Sequence, residues 1–212
     1  MSKRIVICIG REFGSGGREI GCAVAEKLGI PFYDKEILKK AAKDSGIVEE
    51  LFENADEKPT NSFLYTLAIG AHGQAVNSFT NYNDYLTNDK LFLFQTDAIR
   101  KMADESSCVF IGRCADYILR GRKDMFSVFI HAPLELRIQR ICRLYNLEED
   151  AARSLIRKTD RSRANYHNFY ADRDWGAAGS YDMSINSGKF GVDGAVQLIV
   201  SAAETFRAQN SQ

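Results

Sequence analysis

The glycine-rich segment near the N-terminus is the sequence feature that most limits the possible folds of this chain. The segment IVICIGREFGSGGREIG joins an apolar run, residues 5–9, to a segment with helical periodicity, residues 17–28. A continuous β-branched run followed by glycines and then by a helical face predicts a buried parallel strand, a tight loop and a helix. Gly29 follows the helical face and is expected to end the helix.

Four further strand candidates alternate with helical segments along the chain. They are residues 32–33, 108–111, 126–130 and 183–185. The helical segments are residues 35–44, 89–105, 115–119, 134–145, 148–170 and 192–206. This alternation predicts an α/β fold of three layers, in which a parallel five-stranded sheet lies between helices and the first strand is central. Residues 46–90 lack the pattern, and we expect a helical insert with loops there.

The charge balance and the apolar runs exclude several classes of protein. The 28 Lys and Arg residues equal the 28 Asp and Glu residues, so no overall basic field favours nucleic acid or an anionic membrane. The run at residues 5–9 is too short for a signal peptide, and no stretch approaches the roughly 18 apolar residues of a membrane span. We therefore predict a cytoplasmic protein. The cysteines, which match no metal-binding spacing, are predicted to be reduced and mostly buried: Cys8, Cys22, Cys108, Cys114 and Cys142.

The glycine-rich loop predicts a phosphate-binding cradle. Glycines allow several backbone N–H groups to point inward together, and the N-terminus of the following helix adds partial positive charge. Either Gly16 or Gly17 could be the last glycine of the loop. The residues predicted to bind phosphate are Gly10, Arg11, Gly14, Ser15, Gly16, Gly17 and Arg18. The alternative is a glycine-rich turn that binds no ligand.

The loop departs from the G-x-x-x-x-G-K-[ST] pattern at its end, because Arg18 and Glu19 replace the lysine and the hydroxyl residue. Arg18 stands where a cation would meet the β- and γ-phosphates of a nucleotide, so it is also a candidate catalytic residue. An arginine binds bidentately, whereas a lysine is a compact charge. Ser15 offers a hydroxyl to a metal ion from inside the loop, and Glu19 offers a carboxylate. Either residue could therefore be the metal ligand.

A second candidate site lies in the segment IRKTDRSRANYH, residues 156–167. Arg157, Asp160 and Arg163 recur at three-residue spacing, which places them roughly on one side of a helix. Arg161 lies between them. Several guanidinium groups could converge on one anion, with Asp160 orienting one of them, and phosphoryl transfer requires such groups. These four residues are therefore candidate catalytic residues, and the alternative is a solvated basic face with internal salt bridges.

Three further side chains fall at the ends of predicted strands. Arg113 ends the segment CVFIGR and can hold a substrate phosphate bidentately, or it forms a surface ion pair with Asp116. Asp34 contacts a sugar hydroxyl or orders an acceptor site, unless it caps the next helix. His131 is a general base or a hydrogen-bonded structural histidine.

The combined segments resemble the cytidylate kinase-like family, a relative of the bacterial cytidylate kinases within the nucleoside monophosphate kinase group of P-loop proteins. The motifs are GREFGSGGREIG, KLGIPFYDKEIL, CVFIGRCADYIL, VFIHAPLELRIQRI and RKTDRSRANY. The resemblance implies one kinase domain, residues 1–212, with a helical substrate-binding insert at about 35–105 and a lid at about 153–176. It implies Mg²⁺ with ATP as the cofactor, a nucleoside triphosphate donor and a small phosphorylated acceptor, with CMP or dCMP the first candidate.

The resemblance also implies acceptor-binding residues. Arg113 matches the arginine that holds the acceptor phosphate in cytidylate kinases, and Asp34 matches an aspartate on the acceptor side. Lys40 stands in place of an acceptor-side arginine, and Cys114 replaces the aspartate that follows Arg113 in the family pattern. The lid pattern of Arg, two residues, Asp, two residues and Arg is preserved at Arg157, Asp160 and Arg163. Another small acceptor, and a nucleotide-binding regulator with little turnover, are the alternative functions.

Overall fold

The computed structural model describes residues 4–34 and 79–209, leaving out the side chains of residues 79–91. The strands are β1 (Val6–Arg11), β2 (Phe32–Tyr33), β3 (Cys108–Ile111), β4 (Met125–His131) and β5 (Met183–Asn186). The helices are α1 (Gly17–Leu28), α2 (Phe79–Glu105), α3 (Ala115–Ile118), α4 (Leu134–Tyr145), α5 (Glu149–Tyr170) and α6 (Ser187–Gln209). The predicted helix at 35–44, the insert residues up to 78 and Lys40 lie outside the described residues.

The five strands form one parallel sheet in the order β2–β3–β1–β4–β5. The first strand is therefore central, and the predicted fold class is confirmed. Ile9 lies beside Ile111 of β3 on one side and beside Val128 of β4 on the other. Because β1 pairs on both edges and is covered on both faces, a continuous apolar run suits this position.

Two apolar cores enclose the sheet, one on each face. Ile7 and Ile9 pack with α1 and α6, whereas Val6 and Cys8 pack with α2 and α3. Successive side chains of a strand point to opposite faces, so an uninterrupted apolar run supplies both cores at once. The three predicted layers follow from this alternation.

Two helices begin earlier than the sequence pattern predicts. The helix α2 starts at Phe79, ten residues before the predicted start, because its first turns carry polar residues that resemble a loop in composition. The helix α6 starts at Ser187, and Gly191 interrupts it with a φ of 67°. The helix that we predicted to start at residue 192 corresponds to the part of α6 that follows this kink. Gly29 ends α1 in the left-handed conformation, as predicted.

The cysteines are free thiols, and most of them are buried. Cys8, Cys108 and Cys114 are buried, Cys142 is half-buried and Cys22 is exposed. Burial raises the pKa of Cys8 well above its ordinary value and raises the pKa of Cys108 to about 12, so both stay protonated at neutral pH. No helix within residues 4–34 and 79–209 is long and apolar enough to cross a membrane.

Replacing a residue of the central strand tests the predicted core. Ile7 is fully buried on β1, so Ile7→Ala should lower the free energy of unfolding by about 2–5 kcal/mol through lost burial and a residual cavity. The control is Leu144→Ala on α4, whose side chain is 62% exposed and should change stability by less than about 0.5 kcal/mol. Urea unfolding followed by circular dichroism measures both, and equal losses would contradict this packing.

Candidate functional site

The glycine-rich loop connects the end of β1 to the start of α1. Gly14 and Gly16 adopt left-handed conformations, with φ values of 82° and 80°, and Gly16 caps the helix. Gly17 is the first helical residue, and a Cβ there would lie 2.5 Å from the Cβ of Arg11. Only glycine fits this contact. Because α1 begins at Gly17, Gly16 is the last glycine before the helix and Arg18 is the second helical residue.

Ser15 stabilises the loop from inside. It is buried, its hydroxyl donates to the carbonyl of Glu12 at 2.9 Å, and its carbonyl accepts from the hydroxyl of Ser187 at 2.6 Å. The carboxylate of Glu12 in turn accepts from the backbone N–H of Ala132 at 3.0 Å. The Ser15 hydroxyl is therefore engaged within the protein in this arrangement, which leaves Glu19 as the more accessible of the two candidate metal ligands.

Arg18 extends away from the loop toward β2. Its side chain is 72% exposed, and its Nε donates to Oδ2 of Asp34 at 2.9 Å. The guanidinium also lies 5.9 Å from the centre of the Phe32 ring. The structure thus joins two predicted site residues, Arg18 and Asp34, in one exposed ion pair.

A different cation lies against the loop, and sequence reasoning missed it. Nη1 of Arg140, on α4, would be 3.1 Å from a Cβ at Gly16, and Nη2 of Arg140 pairs with the carboxylate of Glu19. Arg140 follows Arg137 by three residues in the segment LRIQRI, so both lie on one face of α4. The three-residue spacing of these two arginines is visible in the sequence, but it does not show that α4 contacts the loop.

Arg137 and Asp160 connect the loop to the two helices α4 and α5. Oδ1 of Asp160 accepts from the backbone N–H of Phe13 at 2.7 Å, and Oδ2 accepts from Nη1 of Arg137 at 2.5 Å. Nη1 of Arg137 also donates to the carbonyl of Phe13 at 3.3 Å. Asp160 therefore orients an arginine, as the sequence suggested, but this arginine belongs to α4 rather than to the segment around Asp160.

A pocket with three arginines lies where β1 and β3 end. We call it the arginine pocket, and it is lined by Gly10, Arg11, Gly112, Arg113, Cys114, Asp116, Arg163, Tyr166, His167, Trp175 and Tyr181. The guanidinium of Arg11 crosses Gly112 so closely that a Cβ there would lie 2.0 Å from Nη1. Arg163, on α5, donates to the carbonyl of Arg11 at 3.2 Å. Three guanidinium groups from separate elements therefore share one small space, which suits an anion.

The turn that carries Arg113 has an uncommon backbone. Gly112, Arg113 and Cys114 all lie in the left-handed region, with φ values of 66°, 60° and 56°. Non-glycine residues in that region cost on the order of 1–3 kcal/mol each and cluster at functional sites. Arg113 is only 5% exposed, and its carbonyl accepts from Nε2 of Gln95 at 2.8 Å. Arg113 is therefore buried in the wall of the pocket rather than exposed at the surface.

Two tyrosines complete the wall of the arginine pocket, Tyr166, which is half-buried, and Tyr181, which is buried. Burial raises the pKa of Tyr166 and of Tyr181 well above the ordinary value of a tyrosine, and the charge of Asp116 adds to the effect at Tyr181. Both hydroxyls therefore stay protonated at neutral pH. The hydroxyl of Tyr166 accepts from Nε2 of Gln95 at 3.3 Å, which joins it to the amide that also contacts the Arg113 turn.

The helix α5 divides the predicted catalytic residues between two faces. Asp160 and Arg163 face the loop and the pocket, whereas Arg157 and Arg161 are exposed and are not among the described residues that line the pocket. Each three-residue step along a helix falls about 60° short of a full turn, so two steps carry Arg163 well round from Arg157. The side chain of His131 is likewise not among the described residues that line the pocket.

Comparison with known proteins finds cytidylate kinases among the relatives of this chain. A cytidylate kinase from Archaeoglobus fulgidus is 27% identical over 205 residues, covering 94% of each chain. A cytidylate kinase from Methanocaldococcus jannaschii is 27% identical over 110 residues, which span half of this chain and 61% of that enzyme. An uncharacterized protein from Eubacterium ventriosum is 30% identical in its crystal structure, with a TM-score of 0.72 over 95% of this chain and 99% of that one.

The fold and the loop define a P-loop kinase, a nucleotide-binding transferase of the α/β class. A shikimate kinase from Bacteroides thetaiotaomicron shares the fold, with a TM-score of 0.54 at 14% identity over 94% of this chain and 98% of that one. The sequence model of the cytidylate kinase-like family matches residues 6–189. The chain therefore belongs to the cytidylate kinase-like family.

The placement of Arg140 makes the identity of the donor-side cation testable. We expect Arg140→Ala to weaken binding of a non-hydrolysable ATP analogue by about tenfold or more, because a charge-assisted contact at the loop is lost. Arg18→Ala removes an arginine that is paired with Asp34 away from the loop, so its effect should be smaller. Fluorescence titration with a labelled analogue compares the two, and the opposite order would restore Arg18 as the cation that serves the loop.

Proposed function

We propose that the chain transfers the γ-phosphoryl group of ATP to the phosphate of a nucleoside monophosphate, with CMP or dCMP as the first candidate. The observation that carries this proposal is the position of the arginine pocket beside the glycine-rich loop, at the carboxyl ends of adjacent strands. One site suits the phosphates of a donor and the other suits the anion of an acceptor. The cytidylate kinases among the relatives support the choice of base.

On the donor side, the loop and Arg140 would hold the triphosphate. Free N–H groups at the start of α1 and the left-handed glycines before it bind phosphate oxygens. The described residues hold no group of three or more acidic, histidine or cysteine side chains that could bind a metal ion by itself. Mg²⁺ would be bound mainly by the ATP phosphates, where it would neutralise part of their charge, with Ser15 or Glu19 as the candidate protein ligand.

On the acceptor side, Arg11, Arg113 and Arg163 would hold the acceptor phosphate. Guanidinium groups bind phosphate oxygens bidentately, which fixes orientation as well as position. Phosphoryl transfer depends mainly on such positioning and on positive charge around the moving group. Arg163 contacts both the Arg11 carbonyl and, through its guanidinium, the ring of Phe13 at 5.5 Å, so it lies between the two sites.

The lid hypothesis, residues 153–176, fits a helix that contacts both sites. Asp160 contacts the loop and Arg163 contributes to the pocket, so outward movement of α5 would open both together. Closure would then exclude water, which would otherwise accept the phosphoryl group. Lys40 and most of the insert predicted at 35–105 lie outside the described residues, and their role in choosing the acceptor stays a prediction.

The kinase proposal is tested by ADP release from ATP with a panel of nucleoside monophosphates. Turnover with CMP or dCMP above the other monophosphates supports the proposal as stated. Turnover with a different acceptor supports only the coarser function of a phosphotransferase. ATP binding without turnover on any acceptor would favour a nucleotide-binding regulator, which the carboxylate of Glu19 in place of the loop hydroxyl also suggests.

Arg113 provides the sharpest test of the acceptor side. Arg113→Ala should raise the KM for the acceptor far more than the KM for ATP, because a bidentate contact worth on the order of 2–4 kcal/mol is lost. The matched control is Arg120→Ala, which removes an arginine stacked on Tyr117 at 3.7 Å that is not among the described lining residues. Steady-state kinetics with each substrate varied decides, and equal acceptor KM values in the two variants would remove Arg113 from the site.

A further inference from the structure

A buried histidine–aspartate pair forms part of the wall of the arginine pocket. Nε2 of His167 lies 2.9 Å from Oδ2 of Asp116, and the two residues are 4% and 9% exposed. Asp116 belongs to α3 and His167 belongs to α5, one helical turn beyond Arg163. The pair therefore joins the predicted lid helix to the helix that follows β3, and both of its members line the pocket.

The second ring nitrogen of His167 lacks a partner. Nδ1 is shielded from solvent and makes no hydrogen bond within the described part of the chain. A buried polar atom without a partner is unfavourable, so a ligand that supplies one gains from it. Because Nε2 faces a carboxylate and donates to it, Nδ1 accepts a hydrogen bond in the neutral ring and donates one in the imidazolium.

The charges of the pocket decide between these two forms when an anion is present. The titratable and charged groups that share the pocket with His167 are Arg11 on β1, Arg113 and Cys114 after β3, Asp116 on α3, Arg163 and Tyr166 on α5, and Tyr181 before β5. The three arginines disfavour a further positive charge beside them. A bound dianion offsets that repulsion, and a ring that donates from both nitrogens, to Asp116 and to the anion, would give Nδ1 the partner that it lacks.

We propose that His167 is an additional donor to the anionic group of the acceptor, and that it takes up a proton from solvent when a phosphate or a similar oxyanion binds. Asp116 is then a positioning residue, because it fixes the ring and balances its charge. The inference rests on the proposed function, which places the acceptor anion in the arginine pocket. Nδ1 is shielded in this arrangement, so the anion would enter while α5 is displaced, and its contact with Nδ1 would form when α5 returns and His167 pairs again with Asp116.

Sulfate is the probe for this proposal. It keeps its double charge over the range of about pH 5–8 in which histidine titrates, so any pH dependence of binding comes from the protein. We expect sulfate to bind about tenfold more tightly near pH 6 than near pH 8, with proton uptake between these values. Isothermal titration calorimetry in buffers of different ionisation enthalpy measures both the affinity and the proton uptake.

The informative variant is His167→Gln. A glutamine amide can still donate to Asp116, but it has no group in place of Nδ1, so the variant should fold and lose both the proton uptake and the pH dependence. The control is His131→Gln, which changes a histidine that is not among the described residues lining the pocket and should behave as the wild type. The same pH dependence in wild type and His167→Gln would overturn the proposal, and so would wild-type protein that binds no sulfate.

Two further measurements test the proposal even if the variant does not fold or the protein shows no kinase activity. If His167→Gln unfolds, the imidazole NMR signals of His167 in the wild type provide the test: sulfate should shift them toward the protonated ring, and unchanged signals would overturn the proposal. Neither experiment requires turnover. Absence of kinase activity together with sulfate-linked proton uptake at His167 would reject the proposed function and still support the oxyanion site.

Discussion

The parallel pairing of β1 with β3 determines where every other part of the site can lie. Ile9 and Ile111 are neighbours across this pair, so Gly10 and Gly112 follow side by side, although Gly10 and Arg11 remain paired with β4. Parallel strands end at the same edge, and ligands of open α/β sheets bind there. The glycine-rich loop and the Arg113 turn therefore start next to each other, and the side chain of Arg11 crosses from one to the other over Gly112.

The carboxylate of Asp160 then couples the predicted lid to the loop. One oxygen holds the N–H of Phe13 and the other holds Arg137, so α5, α4 and the loop meet at a single group. Charge-assisted hydrogen bonds of this kind are stronger than neutral ones. Movement of α5 would break or carry these contacts, which would couple the loop to the position of the proposed lid. The pair of Asp116 and His167 connects the same helix to the acceptor side.

Much of the fold and part of the site followed from the sequence, because both depend on local patterns. Apolar β-branched runs located the strands, and the strand-end rule selected the loop and Arg113. Arg140 and His167 were missed because their roles arise from contacts across the fold: Arg140 meets Glu19 at a separation of 121 residues and His167 meets Asp116 at 51. Periodicity gave the faces of α4 and α5, but it contains no information on what those faces contact. The three-residue spacing also suggested that Arg157 shares a face with Arg163. Because each three-residue step falls about 60° short of a full turn, Arg157 lies instead on the exposed side of α5.

We propose that the loop and the arginine pocket bind the donor and the acceptor at the same time, in line for transfer. A bisubstrate compound in which adenosine and cytidine are joined through a chain of phosphates tests this claim directly, with calorimetric affinities compared against ATP and CMP alone. Joining two ligands that fit adjacent sites makes the second contact intramolecular, so we expect an affinity at least about a hundredfold above that of either part. An affinity no higher than that of ATP alone would contradict it, because the two sites would then not be occupied together.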